Sequence, residues 1–130
     1  MAADVVTPNE GELAVLARSA LGTGPGGDGD ADALIRAGLG GAYLVSLGAA
    51  GAALTTARGT TRLPALAVEA VDTVGAGDTL NGALAAGLAS GLGLEDAARR
   101  AVAAASLAVT RAGAREGMPT SAELEAALAR

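Results

Sequence analysis

Segments with helical and with extended hydrophobic patterns alternate along this chain, and glycine-rich stretches separate them. The near-continuous apolar run at 42–47 is typical of a strand that is covered on both faces. Asn9 followed by Glu12 resembles the capping-box start of a helix, and apolar residues then recur at helical spacing. The glycines at 22–29 interrupt that pattern, and a second, short helix is expected over about 30–37. This order predicts an α/β fold.

The rest of the chain continues the alternation. The expected elements are, in chain order, a strand at 52–56, a turn at Arg58-Gly59, extended segments at 60–66 and 68–71, a helix at about 78–90, a longer helix from about Glu95 to Val109, and a last helix at 121–128. The glycine-rich stretch at 22–29 is interpreted as a loop inside one domain, because neither side is long enough to stand alone.

Composition narrows the chemistry that is open to the chain. It has no cysteine, no histidine and no lysine, and its formal net charge is −5. These absences exclude disulfides, thiolate zinc sites, thiol nucleophiles and every histidine-based catalytic arrangement. A negative chain without a basic cluster is a poor nucleic-acid scaffold, because phosphate neutralisation needs a basic face.

Hydropathy adds two expectations. No apolar run approaches the roughly 20 residues of a membrane span, and the N-terminus has no signal-like segment, so a soluble, cytoplasmic protein without a membrane partner is expected. Thirty-five alanines and a single aromatic residue, Tyr43, predict a core of small side chains. Such a core buries little apolar area per residue and gives modest stability.

The segment at 67–82 carries the strongest chemical signal. An extended run leads into Gly75-Ala76-Gly77, and a helix pattern begins at Asp78. Two glycines allow a sharp turn and close approach to a ligand. The free amides at the start of the helix form a cradle for an anion. Asp78, at the edge of this cradle, would repel a bound phosphate unless it acts on a third group.

Three interpretations of this segment stay open. In the first, the amides hold a phosphoryl group in transfer while Asp78 takes the proton of an incoming hydroxyl. In the second, the segment is a dinucleotide-binding turn with Glu95 as the acid, although Leu80 stands at the third glycine position. In the third, the glycines only shape a turn and Asp78 only caps the helix. A lysine-dependent P-loop is excluded by composition.

Four motifs in one order resemble the ribokinase-like (PfkB) carbohydrate kinases. They are DTVGAGD at 72–78 with Thr79 and Asn81-Gly82 behind it, PNEGE at 8–12, SLGAAG at 46–51 and AAASLAVTRAGA at 103–114. Together they span essentially the whole chain. The resemblance implies the C-terminal part of a three-layer α/β/α fold with a mostly parallel sheet. It also implies an ATP-dependent kinase whose acceptor is a hydroxyl of a sugar or nucleoside.

The resemblance also assigns roles to residues. Asp78 would be the general base, and Gly75, Ala76 and Gly77 would form the anion hole for the γ-phosphoryl group. Asn9 and Glu12 would support the phosphates and Mg²⁺, with helix capping as the alternative role. The ATP site would be lined by Ser46, Gly48 and Gly51, with Val102 against the adenine; an ordinary turn and core packing are the respective alternatives.

A monovalent cation site is also implied. In the family this site holds K⁺, and here it would consist of the Asp72 side chain together with backbone carbonyls. The carbonyls are those of Val74, Ala108, Arg111, Gly113 and Gly117. A cation there would steady the adjoining anion hole.

The chain departs from the family in length. Family members carry an N-terminal half with the sugar-binding residues and a lid, and both are expected to be absent from residues 1–130. We therefore expect a truncated kinase domain that is weak or inactive alone, and that self-associates or works with a complementing N-terminal half. A nucleotide-binding fragment without catalysis and a dinucleotide-binding domain are the alternatives. The identity of the sugar is not readable from these residues.

Overall fold

The computed structural model describes residues 4–22, 28–66 and 76–109, together with Ala122, Ala126 and Leu128. The chain divides into two compact units, Met1–Leu63 and Pro64–Arg130. The first unit contains β1 (Val5–Val6), α1 (Glu10–Leu21), α2 (Asp28–Arg36), β2 (Ala42–Ser46), β3 (Ala52–Thr56) and β4 (Gly59–Leu63); the second contains α3 (Ala76–Ala89) and α4 (Leu94–Ala108).

The four strands of the first unit form one mixed sheet in the order β1-β2-β3-β4. β1 runs parallel to β2, with Val5 opposite Ala42. β2, β3 and β4 form an antiparallel meander, with Leu44 opposite Leu54. The α/β architecture is therefore confirmed, and the parallel pairing among the described strands is the β1–β2 pair.

Element ends differ from expectation at four places. α2 begins at Asp28, so Asp28 and Gly29 are helical rather than part of the glycine-rich break. The turn of the hairpin lies at Ala57-Arg58, and β4 ends at Leu63, where the following proline has no N–H for a ladder. α3 begins at Ala76, which places the Ala-Gly pair inside the helix. The segment expected at 68–71, and most of the one at 121–128, lie outside the described residues.

The core of the first unit forms around Tyr43. Leu13, Ala17, Ala31, Leu34 and Val45 complete the buried cluster, and α1 and α2 supply the first four of these residues. The Tyr43 ring is buried, and its hydroxyl donates a hydrogen bond to the carbonyl of Leu39. Its burial among apolar side chains raises the pKa of Tyr43 above 10.0.

The second unit depends on close contact between α3 and α4. A Cβ added at Gly87 would lie 3.1 Å from the Cβ and 3.3 Å from the Cα of Ala97. Ala97, Ala98 and Ala101 are completely buried on α4. Small side chains therefore allow the two helices to approach closely. This packing orients the first turn of α3, where the predicted base lies.

We expect the Gly87→Val variant to be less stable than the Gly82→Val variant. Both positions lie in α3, so the intrinsic helix propensity terms match, but a Cβ at Gly82 would meet nothing within 4 Å. Overpacking against Ala97 should lower the free energy of unfolding by about 1–3 kcal/mol relative to Gly82→Val. Urea denaturation followed by circular dichroism measures this difference, and equal midpoints would contradict the packing.

We also expect a pH-dependent loss of stability that originates at Tyr43. The unfolded phenol titrates at 10.0 and the folded one at higher pH, so the unfolded state loses its proton first. Stability should therefore be complete below pH 10 and fall as the pH rises above it. Phenolate absorption reports this single group, since the chain has no other aromatic residue. A native midpoint at or below that of the urea-unfolded chain would contradict the prediction.

Candidate functional site

The carboxyl ends of β1 and β2 bring together the residues predicted to contact the nucleotide in the first unit. Asn9, which follows β1, forms an isolated parallel bridge with Ser46, the last residue of β2. The Ser46 amide donates to the Pro8 carbonyl at 3.0 Å. Gly48 and Gly51 follow directly in the chain. Ligands of open α/β sheets characteristically bind at such strand ends.

Asn9 and Glu12 form a reciprocal capping box at the start of α1. The Glu12 amide donates to Asn9 Oδ1 at 2.8 Å, and the Asn9 amide donates to Glu12 Oε1 at 2.9 Å. The capping alternative for this pair is thus present in the structure. Both side chains are exposed. The capping box engages only Oε1 of Glu12 and not the second oxygen of this carboxylate. A single accessible carboxylate with water around it fits the ligand preference of Mg²⁺.

The segment after β2 closes into a tight turn. The Leu47 amide donates to the Gly51 carbonyl at 2.8 Å, and the Gly51 amide donates to the Gly48 carbonyl at 3.0 Å. Gly48 and Gly51 have φ angles of +61° and +96°, which residues with a Cβ rarely adopt. Gly48 is exposed, and a Cβ placed there would meet nothing within 4 Å. A ligand can therefore approach the backbone of this turn closely.

The first turn of α3 presents the residues predicted for catalysis in the second unit. Ala76, Gly77 and Asp78 are the first three residues of the helix. The first amides of a helix have no intrahelical acceptor and mark the positive end of its dipole. Gly77 and Asp78 are exposed, and no described residue lies within 4 Å of a Cβ built at Gly77. The Asp78 carboxylate is thus accessible beside amides that have no intrahelical acceptor.

The remaining predicted residues are only partly described. Val102 is buried within α4, and its carbonyl accepts the Ser106 hydroxyl at 2.9 Å. Ala108 is buried in the last turn of α4, where helix carbonyls lack an intrahelical donor. The other predicted residues, namely Gly75 of the anion hole and Asp72, Val74, Arg111, Gly113 and Gly117 of the cation site, lie outside the described residues.

Thr79, which follows the predicted base, belongs to the recognised motif but received no role from the sequence. Thr79 lies on the buried face of α3 with Leu80, Leu84 and Gly87. Its hydroxyl is buried without a hydrogen-bond partner in the described part of the chain. The helical spacing of this face marks Thr79 as inward-facing, but only the structure shows that its hydroxyl is unpaired.

The described ranges contain neither a cluster of metal-binding side chains nor a helix suited to a membrane. Residues 4–22, 28–66 and 76–109 contain no group of three or more acidic, histidine or cysteine side chains placed to hold a metal ion. None of the helices in the same ranges combines the length and the apolar character that crossing a bilayer requires.

Several ribokinases are similar to this chain in sequence and in structure. Ribokinase from Schizosaccharomyces pombe is 35% identical over 123 residues, which is 92% of this chain and 39% of the yeast protein. Ribokinase from Thermotoga maritima superposes with a TM-score of 0.91 at 35% identity, over 98% of this chain and 42% of that one. Arabidopsis thaliana ribokinase, solved with ribose and ATP, superposes with a TM-score of 0.81 at 33% identity, over 96% of this chain and 40% of that one.

Two Escherichia coli structures add information on ions. One contains ATP and Mg²⁺ and matches with a TM-score of 0.81 at 30% identity. The other is phosphofructokinase-2 in complex with potassium, with a TM-score of 0.80 at 28% identity. The match to the ATP and Mg²⁺ complex covers 98% of this chain and 39% of the other protein. The match to phosphofructokinase-2 covers 97% of this chain and 40% of that protein.

The chain spans about two fifths of the length of the ribokinases that it matches over nearly all of its own residues. The profile of the pfkB family carbohydrate kinases matches residues 1–121. The fold of the described elements and the order of the four motifs agree with that match, and this chain belongs to the pfkB family of carbohydrate kinases.

Proposed function

We propose that residues 1–130 form the nucleotide-binding and catalytic-base portion of an ATP-dependent carbohydrate kinase. The acceptor is a hydroxyl of a sugar or nucleoside. One observation carries this proposal: in a chain of the pfkB family, an accessible carboxylate, Asp78, lies in the first turn of a helix beside backbone amides that have no intrahelical acceptor.

Asp78 acts as the general base toward the acceptor hydroxyl. A carboxylate is a weak base toward an alcohol, so the proton moves late, when bond formation to phosphorus has made it acidic. Exposure of the side chain supports this role, because an acceptor hydroxyl can reach the carboxylate from solvent. General bases of this kind contribute about 10²–10⁴-fold to a rate.

The amides of Gly75, Ala76 and Gly77 stabilise negative charge on the transferring phosphoryl group. Aligned N–H dipoles at a helix start supply this stabilisation without reorganising during the reaction. The absence of a side chain at Gly77 keeps the turn open to a phosphate. The same amides offset the repulsion between Asp78 and the phosphate.

In the first unit, Ser46, Gly48 and Gly51 line the nucleotide, while Asn9 and Glu12 support its phosphates. The capping box holds both of these side chains in a fixed geometry before any ligand arrives. Mg²⁺ bound at this nucleotide would neutralise phosphate charge. The backbone of the glycine turn then provides close contact that larger residues would obstruct.

The roles of Val102 and of the K⁺ ligands follow from family membership. Val102 is assigned to the adenine, although its side chain is buried in α4. K⁺ is assigned to Asp72 and to the carbonyls of Val74, Ala108, Arg111, Gly113 and Gly117. The potassium complex of the related phosphofructokinase-2 supports this second assignment. A cytoplasmic location also stays a prediction from the sequence.

The length of the chain limits what it does alone. Its relatives are more than twice as long, and the residues that select the sugar are expected in the part that this chain does not match. We therefore propose weak ATP binding and little or no sugar phosphorylation by residues 1–130 alone. Residues equivalent to the N-terminal half of a ribokinase are needed to complete the enzyme, because a second copy of residues 1–130 would lack the same sugar-selecting part.

Of the other functions considered, dinucleotide binding is disfavoured by the structure. Leu80 occupies the third glycine position of that motif and is buried on the inner face of α3. A nucleotide-binding fragment without catalysis keeps every contact proposed above except the role of Asp78. Substitution of Asp78 therefore separates the two remaining functions.

The Glu12→Gln variant should separate helix capping from support of Mg²⁺. Glutamine still accepts the Asn9 amide, so the free energy of unfolding should stay unchanged, whereas Glu12→Ala should lose about 0.5–1 kcal/mol. Both variants should weaken ATP binding in Mg²⁺ about fivefold, since the negative charge is lost. Calorimetric titration with ATP, with and without Mg²⁺, measures this change in affinity.

The control for this pair is Glu10→Gln, which changes an exposed acid in the same helical turn. It should alter neither stability nor Mg²⁺-dependent binding. Unchanged ATP affinity in Glu12→Gln would reject the proposed role of Glu12 and leave capping as its only function.

The Asp78→Asn variant should abolish phosphoryl transfer and spare ATP binding. The test uses a chimera in which this chain replaces the matching part of Thermotoga maritima ribokinase, because the two superpose closely. Asparagine cannot accept the acceptor proton, so kcat with ribose should fall about 10²–10⁴-fold. The ATP dissociation constant should stay within about twofold, as the amides of α3 are intact.

Asp96→Asn is the matched control, because Asp96 is also an exposed third residue of a helix, here α4. It should leave kcat unchanged. The chain of 130 residues alone should show almost no turnover with ribose, fructose or adenosine. Robust, saturable turnover by the chain alone, or an active Asp78→Asn chimera, would contradict the proposal.

A further inference from the structure

The second unit contains two buried hydroxyls with opposite hydrogen-bonding states. Ser106 Oγ accepts a hydrogen bond from the Leu66 amide at 3.1 Å and donates one to the Val102 carbonyl at 2.9 Å. Thr79 is equally buried, at 3% exposure, and no hydrogen-bond partner for its Oγ1 exists within the described ranges. The Ser106 hydroxyl therefore both accepts and donates a hydrogen bond, whereas the Thr79 hydroxyl does neither within the described residues.

An unpaired buried hydroxyl needs a physical explanation. Burial removes the hydroxyl from water, and without a partner that loss is not compensated. Such groups are rare in folded proteins for this reason. A threonine in a helix ordinarily avoids the cost by donating to the carbonyl one turn back. Thr79 Oγ1 forms no hydrogen bond within the described residues.

The position of Thr79 connects it to the anion-binding turn. It is the fourth residue of α3 and directly follows Asp78. Helical side chains tilt toward the N-terminus of their helix, so the Thr79 side chain leans over the first turn. That turn carries the amides of Ala76, Gly77 and Asp78, which have no intrahelical acceptor. Three such amides and a hydroxyl without a partner in the described residues thus lie at one helix end.

We propose that Thr79 is a positioning residue for the terminal phosphate of the nucleotide. Its hydroxyl is held unpaired in the ligand-free chain. It gains a hydrogen-bond acceptor when a phosphate group binds at the first turn of α3. The new bond forms only in the bound state, so it selectively stabilises that state and favours binding. This inference rests on the proposed function, since it assigns a further residue to the same phosphate site.

The consequence is that removing the Thr79 hydroxyl has opposite effects on stability and on binding. Thr79→Val replaces the unpaired hydroxyl by a methyl group of similar size. The ligand-free chain should melt about 4 °C higher, because no uncompensated polar group is then buried. Affinity for ATP with Mg²⁺ should fall about tenfold, because one of the hydrogen bonds to the terminal phosphate is lost, whereas affinity for ADP should stay unchanged.

The experiment titrates ATP and then ADP, each with Mg²⁺, into the ¹⁵N-labelled chain and follows the backbone amides of Ala76 and Gly77. Melting temperatures are measured without nucleotide. Thr79→Ser keeps the hydroxyl and should bind ATP within about threefold of the parent chain. Ser106→Ala removes the paired hydroxyl of the same unit; it should melt lower and bind both nucleotides unchanged.

Each result has a definite meaning. Thr79→Val with parental ATP affinity overturns the inference. So does a lower melting temperature like that of Ser106→Ala, since the hydroxyl would then be paired in the ligand-free chain. If the amides of Ala76 and Gly77 in the parent chain do not respond to ATP, the proposed phosphate site itself fails. Retained binding in Thr79→Ser, together with a stable but weak-binding Thr79→Val, supports the inference.

Discussion

Close approach between helix backbones is the constraint on which the second unit depends. Its core contains alanine and leucine, so each side chain buries little area and stability requires many short contacts. Gly87 and Ala97 illustrate the requirement, because one added carbon would already lie 3.1 Å from its neighbour. The same packing fixes the rotation of α3 about its axis. That rotation turns Thr79 inward and leaves Asp78 in solvent.

In the first unit, backbone hydrogen bonds order the loops near the nucleotide residues. A hydrogen bond from the Ser46 amide to the Pro8 carbonyl joins the end of β2 to the segment that follows β1. The capping box then orients Asn9 and Glu12 without any ligand. Side chains held in one rotamer lose little entropy when a ligand binds, so this order favours binding. A structural role and a binding role are therefore compatible for the same pair of residues.

Local patterns predicted most of the described fold. The capped start of α1, the buried strand β2 and the hairpin strands follow from residue spacing and turn residues. The ends were less predictable. Gly77 suggested a loop, yet it lies in the first turn of α3, where helix propensity counts less than packing of the following residues. Asp78 is exposed, as the role of a general base that the sequence suggested for it requires. The unpaired hydroxyl of Thr79, in contrast, depends on tertiary contacts that no local pattern encodes.

The placement of Tyr43 in the first unit makes the chain unusual spectroscopically. No other fluorophore is present, so intrinsic emission senses the surroundings of α1, α2 and β2 only. The far-ultraviolet dichroism signal, in contrast, includes α3 and α4 as well. Coincident melting curves from the two signals would indicate a single cooperative transition, and separated curves would indicate that the two units unfold one after the other.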